Sequence, residues 1–276
     1  MPAKGLSLHI GLNFVDPSHY DGWDGALAAC EFDANDMNAV AVKRGFTSRK
    51  LLTAAATASA VIGAIKDAAM TLASGDLFLL TYSGHGGQVP DGNNDETDSE
   101  RQDETWVLYD RQLVDDELWA LWTRFKAGVR IFVLSDSCHS GTVVRAMPTM
   151  GGASPGAGKK RRIRLLPPAQ AAKVYRANRA TYDSIQKAHP AAEKAAVKAA
   201  ILLISGCQDN QYSLDGERNG LFTETLRKVW ANGKYKGDYR SFRNKIAARM
   251  PDTQSPNYYV VGKPNPAFEA QRPFTI

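Results

Sequence analysis

Cys138 and His85 are the residues of this chain best suited to chemistry. Cys138 stands in Ser135-Asp136-Ser137-Cys138-His139-Ser140-Gly141, a small polar run directly after the apolar segment Val129–Leu134. His85 stands in Ser83-Gly84-His85-Gly86-Gly87, directly after the apolar run that begins at Asp76 and ends at Tyr82. A thiol is a poor nucleophile until a base or a depressed pKa populates the thiolate, and an imidazole is such a base. Gly84, Gly86 and Gly87 let backbone approach a substrate closely. The amide N–H groups of Gly86 and Cys138 can then hold an oxyanion.

These two residues need elements that bring them together. An apolar, β-branched run ended by a polar turn is consistent with a buried strand of a parallel sheet, and open α/β sheets do chemistry at the carboxyl ends of such strands. Helical spacing over Ala26–Arg44, from about Thr57 to Ala73, and over Asp115–Phe125 alternates with strands at Leu6–Val15, Arg49–Leu52, Asp76–Tyr82 and Val129–Leu134. Thr57 is placed to cap the second helix. Ala200–Ser205 and Asn257–Val261 read as further strands, with amphipathic helices at Gly220–Trp230 and Ser241–Met250 between them. The fold class is therefore α/β: a three-layer sandwich with a mostly parallel central sheet of about six strands and helices on both faces.

The chain has 276 residues and three cysteines, Cys30, Cys138 and Cys207. Sparse, odd cysteines argue against a disulfide framework and against zinc. The start reads as a first strand and lacks a secretion-type apolar core, which implies a cytoplasmic chain. No apolar run is long enough to span a bilayer, so no membrane partner is expected. The net charge of +5 has a local origin, because Lys159, Lys160, Arg161, Arg162 and Arg164 carry five positive charges and the remaining charges balance. Composition shifts at Pro148. Residues 1–147 read as a large catalytic region, 148–199 as a flexible basic linker with Ala-rich exposed helices, and 200–276 as a smaller region completing the same sheet.

His85 precedes Cys138 by about 50 residues, the interval of the caspase pattern. Tyr82-Ser83-Gly84-His85-Gly86 and Asp136-Ser137-Cys138-His139-Ser140-Gly141 resemble the two active-site boxes of metacaspases and orthocaspases. Ala29-Cys30-Glu31-Phe32-Asp33-Ala34 is similar to a further box of that family. Ile204-Ser205-Gly206-Cys207-Gln208-Asp209 and Asn219-Gly220-Leu221-Phe222-Thr223 are similar to its small-subunit region. The resemblance covers nearly all of the chain except the basic linker. It implies a caspase-like fold and a cysteine endopeptidase that cuts proteins or peptides after Arg or Lys. Asp33 and Asp136 suit a pocket for a basic side chain, bidentately for arginine. By position, Cys30 and Ser83 match other pocket-lining residues of the family.

The chemistry requires no cofactor. The resemblance also implies calcium activation through carboxylates of the acidic stretch Asp91–Glu117. Asp103, Asp115 and Asp116 match three of its ligands, and hard oxygen donors suit that ion. At the fourth position this chain carries Arg145, which would repel calcium or replace it by pairing with the same acids. An Arg- or Lys-specific enzyme with a basic, Gly/Pro-flanked loop can cut itself there, which makes Lys159, Lys160, Arg161, Arg162 and Arg164 the expected self-cleavage region. Two other readings stay open at this point: a catalytically idle caspase-like adaptor, and a nucleic-acid-interacting protein using the basic insert. Confinement of the charge to one linker argues against nucleic acid as a partner. The reading favours a monomer.

Overall fold

The computed structural model describes residues 2–92, 102–138, 162–189, 196–208 and 211–276. At its centre are β3 (Leu77–Ser83) and β7 (Arg130–Asp136), both buried along their whole length. Their side chains alternate between two cores, as a pleated strand demands. Phe78, Leu80, Tyr82, Ile131 and Val133 face one, while Leu77, Leu79, Phe132 and Leu134 face the other. A strand that is apolar on both faces must be covered on both, and helices do this.

The main sheet has six strands in the order β2-β1-β3-β7-β8-β9, built from β1 (Gly5–Gly11), β2 (Thr47–Leu52), β3, β7, β8 (Ala200–Ser205) and β9 (Asn257–Gly262). All neighbouring pairs are parallel except β8 with β9. α1 (Cys30–Lys43), α6 (Leu221–Trp230) and α7 (Tyr239–Ala247) send Met37, Ala41, Leu226 and Phe242 into one core. α2 (Ala58–Thr71) and α3 (Asp115–Trp122) send Val61, Ile65 and Leu121 into the other. The short α8 (Pro266–Glu269) closes the chain against the first of these cores through Phe268. The Thr57 side chain caps α2 by accepting from the Ala60 amide.

The three-layer fold and its sheet agree with the sequence reading, and two local features differ from it. The segment after His85 forms a second, antiparallel sheet of β4 (Gly86–Pro90), β5 (Gln102–Val107) and β6 (Gln112–Val114). Its strands are too short to show a period. The Ala-rich region forms α4 (Pro168–Ala177) and α5 (Arg179–Ala188), and these are docked rather than merely exposed. Leu166, Ala171, Val174 and Tyr182 enter the same core as α2. Most of their apolar residues are alanines and few are large, so the buried face is easily overlooked. Among the described residues, no helix is long and apolar enough to cross a membrane.

Candidate active site

The register of β3 against β7 sets the site. Ser83 pairs with Asp136. His85 and Cys138 each lie two residues further along their own chains, so equal offsets carry both past the same end of adjacent strands. The two loops touch so closely that a Cβ at Gly86 would lie 1.6 Å from the Cys138 carbonyl oxygen. Only glycine fits there.

The His85 ring is held from behind. Its Nε2 lies 2.9 Å from the Gly25 carbonyl oxygen, and Trp23 packs against it at 4.8 Å between ring centroids. A carbonyl can only accept, so Nε2 carries the proton of the neutral ring and Nδ1 is bare. Nδ1 is buried and has no hydrogen-bond partner. Burial pushes the His85 pKa down to about 4, the Gly25 carbonyl opposing and the Arg164 guanidinium assisting. The ring is thus a neutral base at pH 7. Cys138 is held from the other side: its Sγ accepts from the Ser213 amide at 2.9 Å and donates to the Ser213 carbonyl at 3.6 Å, and no hydrogen bond joins it to His85.

Between these loops runs a segment of the chain itself, Arg162 to Leu166. On one side it pairs antiparallel with residues 213–215. Arg164 N donates to Ser213 O at 3.0 Å, and Asp215 N donates to Arg162 O at 2.7 Å. On the other side Gly86 N donates to Arg164 O at 3.0 Å, and Leu166 N donates to Gly86 O at 2.8 Å. Cys138 N also donates to Arg164 O, at 3.3 Å. The Arg164 carbonyl therefore receives both amides that the sequence suggested for an oxyanion.

The Arg164 side chain is fully buried. Nη2 lies 2.7 Å from Asp33 Oδ2 and 3.0 Å from Asp215 Oδ1, and Nη1 lies 3.0 Å from Asp136 Oδ2. Nη1 also donates to Ser83 Oγ at 2.9 Å. The carboxylates keep further donors. Asp33 accepts from Asn219 and the Gly220 amide, Asp136 from Ser213 and Thr223, and Asp215 from the Ala28 and Ala29 amides. Cys30 is buried beside the same charges, and burial pushes its thiol pKa well up. It is inert as a nucleophile there. A Cβ at Gly220 would fall 2.6 Å from Arg164 Nη2, so this pocket too needs glycine in its wall.

A model of the caspase domain, peptidase family C14, matches residues 14–274. The chain belongs to the caspase-domain family of cysteine peptidases. Protein GSU0716 from Geobacter sulfurreducens has a crystal structure that is similar at TM-score 0.90 and 55% identity, over 99% of this chain and 98% of that one. Caspase-1 from Spodoptera frugiperda shares the fold at TM-score 0.52 and 12% identity, over 94% of this chain and 86% of that one. Among curated proteins, Metacaspase-1 of Cryptococcus neoformans is 33% identical over 157 residues, covering 51% of this chain and 33% of the relative. Metacaspase-1 of Kluyveromyces lactis is 32% identical over 180 residues, covering 56% and 40%. The chain thus spans well under half the length of these curated relatives.

In this caspase domain, Asp33, Asp136, Ser83 and Cys30 all lie about one guanidinium. Asp215, Ser213 and Asn219 join them there, while Trp23 and Gly25 hold His85; of these five only Asn219 stood in a quoted sequence box. Asp215 sits in an ordinary Leu-Asp-Gly turn and reaches Arg164 only through the fold. Asp103 lies on β5, and Asp115 and Asp116 open α3. Asp103 accepts from Gln186, and Asp115 accepts from the Glu104 amide at 3.2 Å. No group of three or more metal-binding side chains forms among the described residues, and Asp95, Glu96, Asp98 and Glu100 of the same acidic stretch lie outside them. Arg145 and the basic residues Lys159, Lys160 and Arg161 lie outside the described residues.

Proposed function

We propose that this caspase domain is a cysteine endopeptidase that cleaves after arginine, and that its own Arg164–Leu165 bond is a substrate. One observation carries the reading: the Arg164 carbonyl sits on the amides of Gly86 and Cys138 while its guanidinium sits among three carboxylates. Donors on the carbonyl oxygen and an anchored side chain are two of the features that acyl transfer to a nearby thiol requires.

The steps follow from these atoms. The Cys138 thiol turns from the Ser213 carbonyl to give its proton to His85 Nδ1, and Sγ attacks the Arg164 carbonyl carbon. Negative charge on the carbonyl oxygen is met by the two N–H donors. The tetrahedral adduct collapses with loss of the Leu165 amine, which takes the proton back from His85. Water, deprotonated by the same ring, then releases the Arg164 carboxylate and restores the thiol. Arginine is favoured over lysine because the carboxylates engage both terminal nitrogens of a planar fork, and an ammonium offers a single centre.

The proposed cut falls within the basic run. Its last two cations are directed at protein groups, with Arg162 donating to the Ala26 carbonyl at 2.7 Å and Arg164 buried. This weakens the case for a free nucleic-acid-binding patch. Mass spectrometry of the purified wild type should find a fragment beginning Leu165-Leu166-Pro167, and Cys138→Ala should remain whole. A wild type that hydrolyses arginyl peptides yet stays uncut, or is cut elsewhere, overturns the self-processing reading.

A further inference from the structure

Recognition across the scissile bond is uneven. On the amino side, Ile163 points away with 39% of its surface exposed, and only its neighbours' backbone is paired. On the carboxyl side, Leu165 is buried and packs with Cys138 and Cys207, with Tyr212 against the same cluster. Cys207 is itself fully buried, its Sγ donating to the Ser137 carbonyl at 3.4 Å, so this wall is fixed. One residue further on, the Leu166 amide donates to Gly86 O while its side chain enters the main core.

We propose that the cleft also selects the two residues after the scissile bond: a bulky apolar side chain in the Cys207–Tyr212 subsite, then a residue with an unblocked amide N–H. The inference rests on the peptidase reading and deepens it by naming the substrate class as Arg followed by Leu or a similar residue. An acidic residue in the subsite would bring its charge beside the Cys138 sulfur as negative charge develops during attack, and lose its water among apolar atoms. Glycine would leave the wall unfilled. Proline or an N-methylated residue in the next position would remove the bond to Gly86 O. The Tyr212 hydroxyl stays neutral, since burial first and Cys138 second push its pKa up. The subsite therefore presents no charge to an apolar side chain.

The test uses the full chain and peptides that are identical through arginine, followed by Leu, Gly or Asp and then by Leu or N-methyl-Leu. Cleavage is read by mass spectrometry as kcat/KM. Leu should exceed Gly by on the order of 10-fold, as burial of a leucine side chain implies, and Asp should be slowest. N-methylation should slow the Leu peptide by a similar factor. Tyr212→Ser should shrink the Leu-to-Gly ratio while arginine remains required. In the chain itself, Leu165→Asp should slow the self-cut by more than about 10-fold. Equal rates for Leu, Gly and Asp overturn the inference, as does a Leu preference that Tyr212→Ser leaves intact. If no arginyl peptide is cut, or if peptides with Asp in place of Arg are cut equally, the peptidase reading fails and takes this inference with it.

Discussion

The guanidinium of Arg164 lies 2.7 Å from the carboxylate of Asp33, and neither side chain reaches solvent. The pair joins residues 131 positions apart in the chain. With Asp136 and Asp215 included, three carboxylates share one cation. Burial pushes the Asp33 pKa up to about 6, with the Arg164 cation opposing and the Asp136 charge assisting. Such a cluster binds a guanidinium avidly and is costly when left empty and dry.

Removing the cation should therefore be felt twice. Arg164→Ala should abolish the cut after residue 164. It should also lower stability by up to about 3–5 kcal/mol, less to the extent that water enters the vacated pocket. Arg164→Lys should keep some self-cutting but lose on the order of 10-fold in rate, since one charged hydrogen bond goes missing. A urea titration with mass spectrometry of the same samples reads both effects.

Asp215 is expected to matter as much as the acids flagged from sequence. Asp215→Asn removes one of the two carboxylates on Nη2. Its kcat/KM on arginyl reporters should fall by on the order of 10- to 100-fold. An unchanged value would show that Asp33 and Asp136 suffice.

Gly86→Ala drives a methyl into the Cys138 carbonyl. The loops must separate, taking one oxyanion donor with them. Activity should drop by about 100-fold or more, in kcat rather than KM, because the donor acts on developing charge. Reporter kinetics alongside a thermal scan would distinguish this from global unfolding.

Acid should destabilise the domain through its histidines. Burial holds His85 at about 4, and burial with help from Lys50 holds His9 at about 3, both below the ordinary value of 6.5. The unfolded chain therefore takes up protons first as pH falls. Stability is full above about pH 6.5 and declines through the window down to the folded values. By pH 5 each histidine should cost about 2 kcal/mol. Asp33 works the other way over part of this range, since its folded pKa is raised. The urea midpoint should still be lower at pH 5 than at pH 7, and His9→Gln should flatten the difference.

The sequence by itself determined the layers. Apolar runs such as Phe78–Tyr82 and Ile131–Leu134 admit burial on both faces, and helical spacing between them forces a parallel sheet. His85 and Cys138 stand out because small polar turns follow those runs directly. Asp33 and Asp136 could be nominated because their family boxes are local in the chain. Of the second sheet only an extended piece at Thr105–Tyr109, overlapping β5, was legible, and the buried face of α4 and α5 was not, since a period needs length to show and docked faces need a partner to define them.

Tertiary structure alone decided which cation those acids meet. Asp215 looks like any turn residue until the loop carrying it pairs with Arg162 to Arg164. Leu165 looks like any linker leucine until it lies against Cys138 and Cys207. A sequence pattern records what each residue prefers locally, in period and polarity. Charge pairing and subsite packing depend on distance in space, and here the partners are brought together only by the closing of the sheet.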